Sequence, residues 1–223
     1  MEPERAVWSP ETRNVEYSAA RGDLVRDVAR RSGVTDDRIL TAIGTVPRHR
    51  FVPQEHRCSA YVDRALPLAA EQTISQPTMI ALMLAELEVQ HCHRVLEIGA
   101  GSGYAAAVLG ELAAEVVAVE IVPELSASAR ARLAELGYRN VTVVGGDGRS
   151  GYPARAPYDR ILVSAGAESV PSELLAQLVV GGRIVMPIGD DRGQELSIGE
   201  KLEDGSVSFH RGVACIFVPL VSS

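Results

Sequence analysis

The segment VLEIGAGSGY, Val95 to Tyr104, sets Gly99, Gly101 and Gly103 at alternate positions directly after an apolar run. Glycines at a strand-to-helix turn let the backbone bend tightly and let a ligand approach with no Cβ in the way. The spacing is GxGxG, with Tyr104 where a dinucleotide fingerprint has its last glycine, and no Gly-Lys-Ser/Thr of a phosphate loop is present. NAD and ATP are therefore disfavoured as ligands. Glu120 ends the next apolar run, roughly 20 residues beyond the first glycine, where an acid in such folds accepts hydrogen bonds from ribose hydroxyls. Asp147, in GGDG, ends the third run, near the position expected for an adenine ring. Each feature alone is weak, because acids at strand ends are commonly solvated. Their recurrence at three successive strand ends points to a nucleoside ligand.

A second group precedes the glycines: Thr73, Ile74, Ser75, Gln76 and Pro77, followed by an apolar stretch. Ser75 or Gln76 could cap the helix that Pro77 opens. The same residues could form the wall of a carboxylate site, since a helix start offers free N–H groups. The motif holds no histidine to activate a nucleophile, so Ser75 reads as an orienting donor rather than the source of a covalent intermediate. His91, Cys92 and His93 alternate at a strand entrance and point to opposite faces, and no second ligand pair follows at zinc spacing. No metal is assigned.

These residues need elements to position them. From Arg94 onward, RVLEI, EVVAVE, VTVV, RILVS and GRIVMPI alternate with helical stretches beginning near Tyr104, Pro123 and Pro171. That order predicts right-handed βαβ crossovers and a doubly wound parallel sheet in an α/β fold. QELSIGE, DGSVSF and VACIFVPL follow with turn residues and no helix between, which predicts antiparallel strands at the C-terminal end, with a hairpin. Before the sheet, Asp23 to Arg31 and Thr35 to Ile43 have helical spacing, with Thr35 as N-cap, and read as a helical cap. Residues 1–16 read as a loose leader, 17–90 as the cap and active-site segment, and 91–223 as the ligand-binding core and last strands, all in one domain.

The 223 residues are 46% apolar, enough for one sizeable core. A net charge of −7 lacks the basic footprint of a nucleic-acid binder. Three widely spaced cysteines suit reduced thiols in the cytoplasm, and no stretch has the length or apolarity of a signal peptide or membrane span. A cytoplasmic monomer is expected.

VPRHRFVP (46–53), AYVDRALPL (60–68), QTISQP (72–77), VLEIGAGSGY, GDG, APYDRILVSAGAESVP (156–171), QLVVGGRIVMPIG (177–189) and FVPL (217–220) together resemble the protein-L-isoaspartate O-methyltransferase family, in order. The resemblance runs from about Thr35 to Leu220 and implies a Rossmann-like methyltransferase sheet. It implies S-adenosylmethionine as cofactor, held by Glu97, Gly99, Ala100, Gly101, Ser102, Gly103, Glu120, Ile121, Gly146, Asp147 and Gly148. It implies Ser75 as the active-site serine, with Asp63, Thr73, Ile74, Gln76 and Val218 toward a peptide carrying an L-isoaspartyl or D-aspartyl carboxylate. Tyr61 and Phe217 read equally well as groove residues or core aromatics.

The chain departs from the family pattern in two places. Where the family has LPI-Gly-x-Gly before QTISQP, Ala69, Ala70 and Glu71 stand here, and the family's TAAA is here SAGA, Ser164 to Ala167. Glu71 adds a carboxylate beside the expected site. That leaves open a related carboxyl methyltransferase acting on an aspartate of a dedicated peptide or on another carboxylate. A non-catalytic S-adenosylmethionine-binding module and a dehydrogenase are the remaining readings; the intact QTISQP argues against the first and the GxGxG spacing against the second.

Overall fold

Short Val, Ile and Leu runs become strands here because β-branched side chains suit a pleated surface covered on both faces. The computed structural model describes residues 10–190 and 192–222, with side chains from Tyr17 onward. The core elements are β3 (Arg94–Ile98), α4 (Tyr104–Leu112), β4 (Glu115–Glu120), α5 (Pro123–Glu135), β5 (Val141–Gly145), β6 (Tyr158–Val163), α6 (Ser172–Ala176), β7 (Leu178–Asp190), β8 (Gly193–Lys201) and β9 (Val207–Cys215). Ahead of them come α1 (Pro10–Ser32), α2 (Asp37–Thr45), the two-residue strands β1 (Leu66–Pro67) and β2 (Thr73–Ile74), and α3 (Pro77–Leu87).

The main sheet has seven strands in the order β5-β4-β3-β6-β7-β8-β9. Pairing is parallel from β5 through β7 and antiparallel from β7 to β9. The order reverses between β3 and β6, and the crevice outside the carboxyl ends of strands at such a point is where ligands bind in open α/β sheets. Alternation along the strands fills both layers: Val95, Val116 and Ala118 face a core shared with α1 to α5. Leu96, Ile98, Val117 and Val119 face the other layer, with Leu174 of α6. Leu24, Ile43 and Leu84 of the N-terminal helices lie in the same cluster as Val95 and Val185, so the helical cap and the sheet bury one continuous apolar core.

The structure differs from the sequence reading in four places. Residues 10–16 of the expected loose leader are helical, and residues 1–9 lie outside the described residues. The N-cap of α2 is Asp36 rather than Thr35; its carboxylate accepts from the Arg38 amide at 2.9 Å and is held from outside by the Arg38 guanidinium at 2.7 Å. Strand β7 begins at Leu178 rather than at the GRIVMPI run, because Leu178 already pairs with Tyr158 of β6 and a register irregularity carries the strand on to Arg183 opposite Arg160. Val207 to Cys215 form one strand, and the FVPL residues that follow leave the sheet to run beside Gly166, with Pro219 bridging to it.

Candidate active site

The glycine turn lies between β3 and α4. Gly99, Gly101 and Gly103 adopt φ of 83°, 53° and 84°, the left-handed region where a Cβ is penalised. The turn is tied to the neighbouring strand: the Gly99 and Ala100 amides donate to the Val119 carbonyl at 2.9 and 3.1 Å. Glu120, 5% exposed at the end of β4, accepts from the Gly101 amide at 2.6 Å and the Val122 amide at 2.9 Å. The acid and the turn therefore order each other. The Ser102 carbonyl accepts from Arg132 Nη1 at 2.7 Å, which pins the far side of the loop.

Glu97, one strand over, is fully buried, and neither of its carboxylate oxygens has a hydrogen-bond partner among the described residues. Burial, and secondarily the charge of Glu120, hold its carboxyl well above the usual Glu range. A buried acid without a donor is costly, so this position suits a ligand that brings a cationic donor. Gly148, after β5, packs where a Cβ would fall 2.3 Å from Ile98 Cγ2, so only glycine lets that loop close on the sheet.

These groups border one cleft that opens to solvent. Of the sequence-predicted cofactor residues, Glu97, Gly99, Ala100, Gly101, Ser102, Glu120, Ile121 and Gly148 line it. Gly103, Gly146 and Asp147 stand outside its lining. Gly103 forms the N-cap of α4, and the Gly146 amide donates to the Glu120 carbonyl at 3.0 Å. Asp147 caps the next turn by accepting from the Arg149 amide at 2.9 Å.

The QTISQP segment enters the same cleft. Strand β2 pairs with β1, which buries Ile74 at 3% exposure and carries Thr73 and Ser75 to the cleft wall. A second groove, with about 1130 Å³ of open space, lies on the other side of that wall. Thr73, Ser75, Ser164 and Val218 border both spaces, and Gln76 borders the groove alone.

The start of α3 is capped from a distance. Gln76 occupies the N-cap position without a side-chain cap bond, and Pro77 opens the helix. Asp63 does the capping: Oδ1 accepts from the Thr78 amide at 2.9 Å, and Oδ2 accepts from Thr78 Oγ1 at 2.7 Å and Gln76 Nε2 at 3.0 Å. Its side chain is 3% exposed, so Asp63 braces the motif from beneath instead of lining the groove. The helix-capping reading of Ser75 and Gln76 is thereby corrected, because the helix start already has its carboxylate.

Sequence reasoning missed three residues that shape this site. Arg48 is fully buried, with its guanidinium carbon 4.7 Å from the Tyr104 ring centroid, and its Nη2 donates to the Ser75 carbonyl at 3.0 Å. Burial pulls its pKa down. Ser164 follows β6 and keeps a buried hydroxyl without a partner among the described residues. Gln194 reaches across the groove to Phe217. Position at a parallel strand end could have flagged Ser164; nothing local marks the other two. Tyr61 borders neither space; its hydroxyl lies 2.7 Å from His49 Nδ1 and its ring packs near Tyr17, whereas Phe217 borders the groove.

Among the described residues no group of three or more His, Cys, Asp and Glu is placed to hold a metal ion. The His91 to His93 segment is a loop in which His93 Nδ1 accepts from the Gln90 amide.

A glycine turn ordered by an acid at the next strand end, in a cleft at the reversal point of a mostly parallel sheet, defines a Rossmann-like protein of the S-adenosylmethionine-dependent methyltransferase class. The sequence profile described as protein-L-isoaspartate(D-aspartate) O-methyltransferase matches residues 19–223, and the chain belongs to that family. It is 48% identical over 209 residues to a protein-L-isoaspartate O-methyltransferase of Methanopyrus kandleri, covering 92% of each chain. It is 50% identical over 199 residues to one of Rhodopseudomonas palustris, covering 89% of this chain and 91% of that one. A solved protein-L-isoaspartate O-methyltransferase superposes with a TM-score of 0.82 at 32% identity, over 89% of this chain and 65% of the other. A putative one from Plasmodium falciparum, solved with S-adenosyl-L-homocysteine, shares the fold with a TM-score of 0.79 at 22% identity, over 90% of this chain and 98% of that one.

Proposed function

We propose that the protein methylates the free carboxylate of L-isoaspartyl and D-aspartyl residues in damaged peptides and proteins, with S-adenosylmethionine as methyl donor. The reading rests on one observation: Ser75 stands in the wall between the cleft built on Glu97 and Glu120 and the open groove beyond it. The bound cofactor supplies an electrophilic methyl group carried on a sulfonium.

The chain's own residues bind and orient. Glu120 has acceptor capacity beyond its two amide bonds for a ribose diol, and Glu97 answers an ammonium group. The acceptor carboxylate is already ionised at neutral pH, so no general base is required and positioning carries the rate. Ser75, with Thr73, holds one carboxylate oxygen while the other faces the cleft; Val218 completes the wall, and Gln76 faces the groove. The methyl ester so formed is attacked by the backbone nitrogen of the next residue. Methanol leaves, a succinimide closes, and its hydrolysis returns part of the material to normal aspartate.

Glu71, the residue that favoured another carboxylate, is exposed and borders neither the cleft nor the groove. The proposed partner is thus a peptide or protein carrying the altered residue, with no nucleic acid or membrane involved. The free thiols at Cys58, Cys92 and Cys215 support work in the reducing cytoplasm, and the protein is proposed to act as a single chain. No helix among the described residues is long and apolar enough to cross a membrane. The test is transfer of labelled methyl from S-adenosylmethionine to matched peptides that differ only in isoaspartate against aspartate. Turnover confined to the isoaspartyl peptide is expected; turnover on the aspartyl peptide alone, or on neither, overturns the proposal.

A further inference from the structure

After β9 the chain leaves the sheet, yet both backbone groups of Phe217 are satisfied, and by one side chain. Gln194 Oε1 accepts from the Phe217 amide at 2.8 Å, and Gln194 Nε2 donates to the Phe217 carbonyl at 3.1 Å. A primary amide presents a donor and an acceptor side by side, so it can stand in for a neighbouring strand. Gln194 already faces Cys215 in the β8–β9 register, and its side chain extends that pairing two residues further.

The residues after Phe217 are held by Gly166. Its amide donates to the Val218 carbonyl at 2.9 Å, and its carbonyl accepts from the Leu220 amide at 2.7 Å. Residues 217 to 220 are therefore held by Gln194 and Gly166 in succession. The glycine is needed there for space, because its φ is not in the left-handed region. A Cβ at Gly166 would fall 2.5 Å from Gln194 Nε2, 2.7 Å from Cδ and 2.8 Å from Oε1, far inside contact distance. Those atoms are the free end of a flexible side chain. An added methyl would therefore swing the amide away from Phe217 and leave the backbone where it is.

The held segment matters because Val218 borders both the cleft and the groove, while Pro219, Leu220 and Val221 border the cleft. Gln194 and Gly166 themselves do not line the cleft; Gln194 borders the groove on the far side of Val218. We propose that Gln194 is a positioning residue, given room by the absent side chain of Gly166, that fixes the Phe217–Val218 wall against which the acceptor peptide is held. The peptide part of this inference rests on the methyltransferase reading above.

The experiment uses the full chain and four variants: Gln194→Ala, Gln194→Glu, Gly166→Ala and the Gly166→Ala/Gln194→Ala double variant. The readouts are the exchange rate of the Phe217 amide, the affinity for S-adenosylhomocysteine, and KM and kcat for an isoaspartyl peptide. Gln194→Ala and Gly166→Ala are each expected to speed Phe217 exchange at least tenfold, since its hydrogen-bond partner is gone. Peptide KM should rise at least fivefold, with kcat and product affinity within threefold of the parent. Gln194→Glu keeps the acceptor and loses the donor, so it should fall between, and it carries the test if the alanine variant does not fold. The double variant should be no more than twofold worse than Gln194→Ala, because the added methyl then meets empty space. Additive losses, unchanged Phe217 exchange, or faster exchange with unchanged KM would each overturn the proposal. Absence of any isoaspartyl turnover in the parent would instead defeat the functional reading, and the exchange pattern of the four variants would still decide the clamp.

Discussion

Glu97 and Glu120 rise from adjacent strands into one cleft, and only Glu120 is answered there. Glu120 takes the amides of Gly101 and Val122, while both oxygens of the fully buried Glu97 lack partners among the described residues. The Glu97 carboxyl is held above the usual range first by burial and then by Glu120. A carboxyl whose folded pKa exceeds its unfolded value stabilises the fold fully below the ordinary Glu range, and that contribution fades as pH rises toward the raised value.

Glu97→Gln is therefore expected to leave the free protein at least as stable at neutral pH and to weaken S-adenosylhomocysteine binding by about 1–3 kcal/mol. In the parent protein, affinity should climb with pH above the ordinary Glu range as Glu97 ionises toward the ligand ammonium; in the variant that climb should vanish. Calorimetry across this range checks both. A parallel pH dependence in the two proteins would remove Glu97 from the cofactor site. Glu120→Ala should also cost about 1–3 kcal/mol of affinity, from lost ribose hydrogen bonds.

Ser75→Ala is expected to lower kcat on isoaspartyl peptides while cofactor-product affinity stays nearly intact, because Ser75, in the wall shared by cleft and groove, is assigned to the acceptor carboxylate and not to the cofactor. A helix cap lost to alanine would cost about 1 kcal/mol of stability. Here the cap comes from Asp63, so the denaturation midpoint should hardly move. A drop in stability with turnover of the folded fraction preserved would return Ser75 to a capping role.

The central alternation of strands and helices was legible because both faces of the parallel strands are buried, which demands unbroken apolar runs such as EVVAVE. The glycine turn was legible for the same kind of reason, since positive φ at Gly99, Gly101 and Gly103 admits little else. What escaped was set by contacts between distant parts of the chain. Asp63 meets Thr78 across 15 positions, Gln194 meets Phe217 across 23 and Arg48 meets Ser75 across 27. No local periodicity encodes such bonds. The path of FVPL was misjudged because its β-rich composition fits a strand, whereas its hydrogen bonds go to Gly166 and the side chain of Gln194.

Asp63→Ala removes three hydrogen bonds from a nearly buried carboxylate at the start of α3. The expected loss is about 3 kcal/mol in urea unfolding, since bonds to a charged group are among the stronger ones and the donors left behind are partly buried. Activity should fall with the folded fraction and with disorder of the QTISQP segment, while the residual folded protein still binds S-adenosylhomocysteine. A stability change under about 0.5 kcal/mol, the range of an ordinary surface substitution, would show that Asp63 does not brace the motif.

Glu71 sits in the tight connection between β1 and β2 with φ of 57°, beside Ala70 at 54°. These are left-handed conformations taken by residues with side chains, at a place where the family pattern has a glycine at position 71. The strain of a non-glycine residue there is about 1–2 kcal/mol, and the extra freedom that glycine brings to the unfolded chain offsets about 0.4–1 kcal/mol. Strain relief wins, so Glu71→Gly should stabilise the protein by about 0.5 kcal/mol or slightly more. The carboxylate is exposed and borders neither the cleft nor the groove, so its removal should leave the acceptor site alone. The ratio of kcat/KM for isoaspartyl over aspartyl peptides is expected to stay within twofold in Glu71→Gly. A tenfold change in that ratio would mean that Glu71 meets the bound peptide, and substrate choice would then have to be assigned to this turn.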